Sequence, residues 1–468
     1  MSNLWYFLKH LWRDIKDSLS GTEHDFTTVT LGRAVTLLAI PMVLELLMES
    51  VFALVDIFFV SRLGADAVAS VGLTESVLTL VFSIATGIAM ATTAVVARRV
   101  GEKNKEAAGT AAAQAIYLGI LVSIPMTLAG ILYPGRIFQW MGASEEVISV
   151  GGGYFTVMLA GNATIMLLFV INAVFRGAGD AVLAMRVLWF ANILNIFLDP
   201  LLIFGIGPFP EMGVTGAAVA TTFSRGMGIV YQVVLLRNRR NRVPVYRRHL
   251  RLNAEVLLHT ARVAVGGSLQ FLIATASWLG LVRIIAVFGS PAIAGYTIAI
   301  RVIIFAILPS WGMSNAAATL VGQNLGAGKP DRAEKSVWLT GLANTVFMVF
   351  VTVTFVAFAE PISRLFTDQA EVLPFAVDCL RYISYGYVFY AYGMVMVQAF
   401  NGAGDTYTPT VINLFCYWLF QIPLAYMLAL PAGLGAQGVF VAIAVSESLI
   451  AVVAVLVFRR GRWKTQAV

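Results

Sequence analysis

Residues 41–56 read PMVLELLMESVFALVD and lie inside an apolar run of about residues 34–60. A run of this length is sufficient for a helix that crosses a membrane. The stretch nevertheless contains three carboxylates, Glu45, Glu49 and Asp56. Their spacing places all three on one face of a helix. Because a carboxylate in hydrocarbon is costly, this face is predicted to point into a helix bundle or a wet cavity.

The composition of the whole chain is that of a polytopic helical membrane protein. Of its 468 residues, 59% are hydrophobic and 12% are charged, whereas a soluble domain carries about 25% charged residues. The basic residues behind the net charge of +7 flank the apolar runs, so nucleic acid is not expected as a partner. Cys379 and Cys416 lie in apolar stretches and the histidines lack ligand spacing, so we expect no disulfide framework, metal cluster or cofactor.

Twelve transmembrane helices are predicted, six in each half of the chain. Their approximate cores are residues 34–60, 68–97, 108–133, 152–175, 183–206, 213–236, 261–288, 292–321, 336–358, 377–400, 408–430 and 435–458. Lys and Arg are concentrated in alternate connections, including residues 237–262 between the halves. This bias predicts that both termini are cytoplasmic in a plasma-membrane protein.

A sequence repeat supports the division into two halves. Three pairs of segments match at the same offset in residue number, namely Arg62–Ala69 with Val287–Ala294, Val100–Gly101 with Leu325–Gly326, and Phe175–Asp180 with Phe400–Asp405. Each half contains six spans and begins on the same side of the membrane, so the repeats are parallel. We therefore predict an all-α fold of two pseudo-symmetric six-helix bundles that operates by alternating access.

The predicted organisation has five segments. The N-terminal segment, residues 1–30, is expected to form an amphipathic helix on the inner surface, with Leu4, Trp5, Leu8, Leu11, Trp12 and Ile15 on its apolar side. The others are an N-lobe (31–236), a basic cytoplasmic linker (237–260), a C-lobe (261–458) and a cytoplasmic tail (459–468).

Span five carries a second polar face inside an apolar run. Its members are spaced three and four residues apart, and they are Asn192, Asn195 and Asp199. Pro200 lacks an N–H and therefore frees the carbonyl of Ile196. A free carbonyl, an amide and a carboxylate suit Na⁺ or a buried proton, with Asp56 as the natural partner. The alternative is that these groups only satisfy one another structurally.

Two prolines are predicted hinges, and other polar groups are candidates for the substrate cavity. Pro41 frees the carbonyl of Leu37 and allows span one to bend, although a fixed kink is the alternative. Pro200 is the second predicted hinge. The candidate cavity residues are Glu45, Glu49, Asn192, Tyr385 and Tyr392. The tyrosines could hold planar cations by cation–π contact, while packing or an interfacial belt is the alternative for them.

Two acids of span one, Asp56 and Glu45, have no acidic equivalents in the second half of the repeat. At the offset of the repeat Asp56 corresponds to Leu281 and Glu45 to Gln270, and Asp199 falls near Leu424. The second half keeps the fold signature without these acids. Ion coupling is therefore predicted in the N-lobe.

These residues resemble the MATE (multidrug and toxic compound extrusion) family of transporters. The resemblance rests on the spacing of Pro41 and Asp56, the N-x-x-x-D-P segment that ends at Pro200, and the paired GAGD segments. It implies export of organic cations and amphipathic drugs in exchange for H⁺ or Na⁺, by rocking of two bundles.

The resemblance is greatest to the subgroup whose N-lobe aspartates bind the coupling ion. It implies that Asp56, Asn195 and Asp199 carry the ion and that Thr221 on span six assists. Other members use a glutamate on span seven, where this chain has Thr275.

We expect a drug exporter that acts as a monomer on small molecules. Two other functions are the alternatives. A flippase for a lipid or lipid-linked precursor would need a cationic cavity for pyrophosphate, which the acidic face of span one disfavours. A membrane-embedded enzyme is not expected, because no nucleophile–base pair or metal motif lies at span depth.

Overall fold

The computed structural model describes residues 13–21, 24–238 and 242–466. Within these ranges the regular structure is entirely helical and contains no strand. Residues 13–20 are helical, whereas most of the predicted apolar side of the N-terminal helix, Leu4 to Trp12, lies outside the described residues. The same is true of residues 239–241 in the basic linker.

Eight further α-helices lie in the described part of the first half of the chain. They are α1 (Leu31–Val60), α2 (Ala65–Gly101), α3 (Lys105–Leu132), α4 (Pro134–Trp140), α5 (Glu145–Ala160), α6 (Asn162–Ala178), α7 (Ala181–Phe204) and α8 (Val214–Arg237). The second half has α9 (Ala254–Ile285), α10 (Ser290–Gly326), α11 (Pro330–Arg364), α12 (Leu373–Ser384), α13 (Tyr387–Gly402), α14 (Tyr407–Asn413), α15 (Ile422–Ala429) and α16 (Ala436–Arg459). A π-helix, Leu414–Gln421, joins α14 to α15.

Each predicted span coincides with one helix or with consecutive helices. In the described part of the chain nine helices are long and apolar enough to cross a membrane, and the pair α5–α6, bent by 41°, makes a tenth. Helix α1 and the pair α12–α13 occupy the two remaining predicted positions. The all-helical polytopic fold is therefore confirmed.

The repeat is visible in the helix boundaries. The first and last residues of α10 are the repeat equivalents of those of α2, and each helix follows a short 3₁₀ turn, Ser61–Leu63 or Ala286–Phe288. The breaks in spans four and ten, at Gly161 and Gly386, are equivalent in the same way. Helix α16 begins slightly earlier than this offset predicts from the start of α8, because the connection before it is shorter.

The chain packs as two compact units. One comprises Met1–Val43 with Leu269–Val468, and the other comprises Leu44–Ser268. The borders thus lie inside α1 and α9, whereas the two lobes are predicted to begin at residues 31 and 261. Each unit has its own buried apolar core, around Phe155 in the second and around Tyr296 in the first.

Two glycines explain how helices pack near these borders. Within Leu44–Ser268, a Cβ on Gly87 of α2 would lie 2.4 Å from the backbone nitrogen of Ser268 on α9. Within the other unit, a Cβ on Gly312 of α10 would lie 2.8 Å from the carbonyl oxygen of Met42 on α1. Both distances are too short for any side chain, so the backbones approach closely at both places. The two glycines are equivalent in the repeat.

Candidate functional site

Span five and span six meet through a buried amide. Asn195 and Asp199 of α7 are 2% and 0% exposed, and Thr221 of α8 is 6% exposed. The Nδ2 of Asn195 donates to Asp199 Oδ1 at 3.1 Å and to Thr221 Oγ1 at 3.1 Å. The structure thus brings together three of the four residues that the resemblance implies for the ion.

Asp56 completes this group from α1. It is partly buried and interacts electrostatically with Asp199. We refer to Asp56, Asn195, Asp199 and Thr221 as the acid site.

Three oxygens of the acid site are buried without a hydrogen-bond partner. They are Asp56 Oδ1, Asn195 Oδ1 and Asp199 Oδ2. Leaving one buried acceptor unsatisfied costs about 1–3 kcal/mol. A proton or a cation that binds these oxygens would relieve this cost.

The choice of ion depends on how many oxygens are available. Na⁺ requires several oxygen ligands, whereas a proton requires one acceptor. The Asn195 amide nitrogen already uses Asp199 Oδ1 and Thr221 Oγ1. In the described residues no group of three or more His, Cys, Asp or Glu side chains is arranged to hold a metal ion.

Arg225 is a neighbour of the acid site that was not predicted from the sequence. It lies four residues after Thr221 on α8 and is 7% exposed. Its guanidinium carbon lies 5.8 Å from the ring centre of Phe52 and 5.7 Å from that of Phe82. Since residues four apart share a helix face, the spacing from Thr221 was a signal that could have placed it.

Glu45 forms a buried ion pair instead of lining an open cavity. It is 2% exposed, and its Oε1 accepts from Arg176 Nη1 at 2.9 Å and from Asn172 Nδ2 at 3.1 Å. In the repeat, Gln270 Nε2 donates to Asn401 Oδ1 at the same distance of 2.9 Å. This shared contact supports the structural interpretation of Glu45.

Glu49 and Asn192 are brought together by spans one and five. Asn192 Nδ2 donates to Glu49 Oε2 at 3.0 Å. Glu49 is partly exposed, so the cavity role predicted for this pair stays a prediction that the geometry allows.

Tyr385 and Tyr392 have different surroundings. Tyr385 is 56% exposed at the break between α12 and α13. The Tyr392 ring lies 6.1 Å from that of Trp338 and packs over Gly341. The packing interpretation therefore suits Tyr392 better than a cation-binding role.

Both predicted hinge prolines lie within continuous helices. Helix α1 runs through Pro41 and α7 runs through Pro200. The border between the compact units follows Val43, two residues after Pro41. The predicted hinge of span one thus coincides with the position at which this helix changes its packing partners.

Comparisons with known proteins match the chain over both halves. The family model described as MatE matches residues 41–201 and 268–427. A relative from Thermotoga maritima, named "Probable multidrug resistance protein NorM", is 29% identical over 437 residues, which are 92% of this chain and 93% of the relative. A relative from Shewanella oneidensis, named "FAD transporter", is 27% identical over 405 residues, or 86% of this chain and 89% of the relative.

A solved structure shares the fold. It is titled "Outward-facing conformation of a multidrug resistance MATE family transporter of the MOP superfamily". It matches with a TM-score of 0.88 and 27% identity, over 94% of this chain and 98% of the solved chain. These matches confirm the resemblance at the level of the family, and the chain belongs to the MATE family of membrane transporters.

Proposed function

We propose that this transporter exports organic, mostly cationic or amphipathic compounds in exchange for H⁺ or Na⁺. The observation that carries the proposal is the acid site, where three buried oxygens lack hydrogen-bond partners. Relatives named as multidrug resistance proteins support the class of cargo.

In the proposed cycle the acid site is the point of exchange. An ion that enters from outside neutralises Asp56 or Asp199 and lowers the attraction of the pocket for a cationic compound. Loss of the ion on the inside restores the carboxylates, and cargo binds again. Pro41 is proposed as the hinge at which α1 bends when the ion binds. The carbonyl of Leu37 that Pro41 leaves without a partner weakens the backbone hydrogen bonding of the helix there.

The proposed setting is the plasma membrane, with both termini in the cytoplasm and the protein acting as a monomer without a cofactor. Arginines at the ends of α2, α8 and α16 support this orientation. The flippase for a lipid or lipid-linked precursor remains the alternative, and the relative named as an FAD transporter adds an anionic cargo to the compounds worth assaying.

The test is efflux in everted membrane vesicles under separate proton and Na⁺ gradients. Asp56→Asn and Asp199→Asn are each expected to reduce gradient-driven export of an organic cation to the level of vesicles without the transporter. Asp368→Asn, which changes an acid in a connection between helices, is the matched control and should export normally.

All variants must be present in the membrane at comparable amounts. Normal export by both acid-site variants would refute the site. Movement of a fluorescent lipid instead of any organic cation would favour the flippase.

A further inference from the structure

Arg225 is buried close to the acid site but is not hydrogen-bonded to it. Its Nη1 is buried without a hydrogen-bond partner. Buried charges are normally paired, because desolvation of an unpaired ion is costly. The side chain is instead held between the rings of Phe52 and Phe82.

We propose that Arg225 is a permanent counter-cation of the acid site and that it makes the proton, not Na⁺, the coupling ion. This inference rests on the proposed function and adds the identity of the ion. It also assigns to Arg225 a role in ion specificity.

The charged and titratable groups of this region come from α8, which carries Arg225, and from four other helices. Asp56 of α1 interacts electrostatically with Arg225 and with Glu75 of α2. Tyr154 of α5 interacts with these three groups and with Asp199 of α7. Arginine keeps its proton under all conditions in proteins, so its charge is fixed. In surroundings of low dielectric this charge acts well beyond the distance of an ion pair. Arg225 can therefore compensate an ionised Asp56 without touching it.

A pocket that contains its own cation is a poor Na⁺ site. A sodium ion would place a second positive charge beside the guanidinium. It would also compete with Asn195 for Asp199 Oδ1 and Thr221 Oγ1. A proton needs only one of the unpartnered oxygens, Asp56 Oδ1 or Asp199 Oδ2. The donor set thus favours the proton by the number of ligands as well as by charge.

The fixed charge also explains how a proton could displace cargo. While Asp56 is ionised, it balances Arg225, and the pocket tolerates a bulky organic cation, which unlike Na⁺ needs no direct shell of oxygen ligands. When Asp56 takes up a proton, the positive charge of Arg225 is no longer balanced by this carboxylate. The pocket then repels an organic cation, as antiport requires.

The repeat shows that the fold does not require a cation at this position. When α8 and α16 are aligned from their first residues, Val214 and Ala436, Glu447 occupies the place of Arg225 in the second half. Glu447 accepts a hydrogen bond from Tyr417 Oη at 3.3 Å. The equivalent positions therefore carry side chains of opposite charge type.

The experiment compares wild-type protein with Arg225→Met, Arg225→Lys and Arg301→Met in proteoliposomes. Arg301→Met removes an exposed arginine of α10 and is the matched control. Export of ethidium is driven by a proton gradient or by a Na⁺ gradient. We expect wild type, Arg225→Lys and Arg301→Met to respond to protons alone. Arg225→Met should gain a Na⁺-driven component of several-fold over background.

A binding measurement keeps the proposal testable if transport fails. Addition of NaCl, against choline chloride at equal ionic strength, should raise the melting temperature of detergent-solubilised Arg225→Met but not that of wild type. If Arg225→Met does not fold, Arg225→Gln replaces it in both assays.

The outcomes separate this inference from the proposed function. Na⁺-driven export by wild type, or unchanged ion use and no Na⁺ stabilisation in the folded Arg225 variants, would overturn the role of Arg225. Absence of ethidium export under any gradient would contradict the proposed function alone, because the Na⁺ stabilisation would still report on Arg225.

Discussion

At the scale of single residues, the two halves join equivalent spans through different kinds of side chain. The first half joins spans one and four by the charged pair Glu45 and Arg176, and the second half joins the equivalent spans by the amides of Gln270 and Asn401. Removal of one partner of a buried ion pair leaves an unpaired charge in the interior, whereas replacement of both partners by a neutral pair does not.

This difference predicts the stability of Glu45 and Arg176 variants. Arg176→Ala should lower the free energy of unfolding by about 3–5 kcal/mol, because Glu45 is left as an unpaired buried carboxylate. The double variant Glu45→Gln/Arg176→Asn, which copies the second half, should lose much less. Thermal unfolding in detergent measures both, and equal losses in the two proteins would show that the ion pair is not the cause.

The residues of the acid site were predictable only in part. The spacing within α1 and within α7 places Asp56 and the pair Asn195 and Asp199 on defined helix faces, and their proximity agrees with that prediction. The position of Arg225 between two aromatic rings depends on how α8 is rotated against α1 and α2. Periodicity within one helix carries no information on that rotation.

At the scale of helices, the positions of the helical spans were largely predictable and their internal breaks were not. Spans four and ten read as continuous apolar runs, yet each is interrupted by a glycine and, for span four, bent by 41°. The π-helix at Leu414–Gln421 is likewise invisible in the hydropathy of span eleven. These features are set by packing against neighbours, which apolar content does not specify.

Close helix packing predicts opposite results for two Gly→Ala substitutions. A Cβ on Gly402 at the end of α13 would lie 2.3 Å from the carbonyl oxygen of Ala318, whereas a Cβ on Gly226 of α8 meets nothing within 4 Å. Gly402→Ala should destabilise the protein by about 1–3 kcal/mol through overpacking.

Gly226→Ala is the matched control for this prediction. It should be neutral or should stabilise the protein by up to about 1 kcal/mol, because alanine has the higher helix propensity. Melting temperatures of the two variants measure the contrast. A loss at Gly226 as large as that at Gly402 would contradict the packing argument.

At the scale of the whole molecule, the distribution of basic residues predicts the orientation in the membrane. Both native cysteines, Cys379 and Cys416, are 0% exposed, so single introduced cysteines can report on sidedness. In intact cells an impermeant maleimide should label Glu371→Cys, in the outer connection before α12, but not Lys105→Cys at the start of α3. The reverse pattern would invert the proposed orientation.

The borders of the compact units inside α1 and α9 have a consequence for the independence of the two halves. The leading part of each half packs with helices of the other half, at Gly312 in one unit and at Gly87 in the other. The same arrangement arises when two subunits exchange identical arms. A chain cut between the halves would give two fragments that each lack an arm, and neither could build a complete bundle without the other.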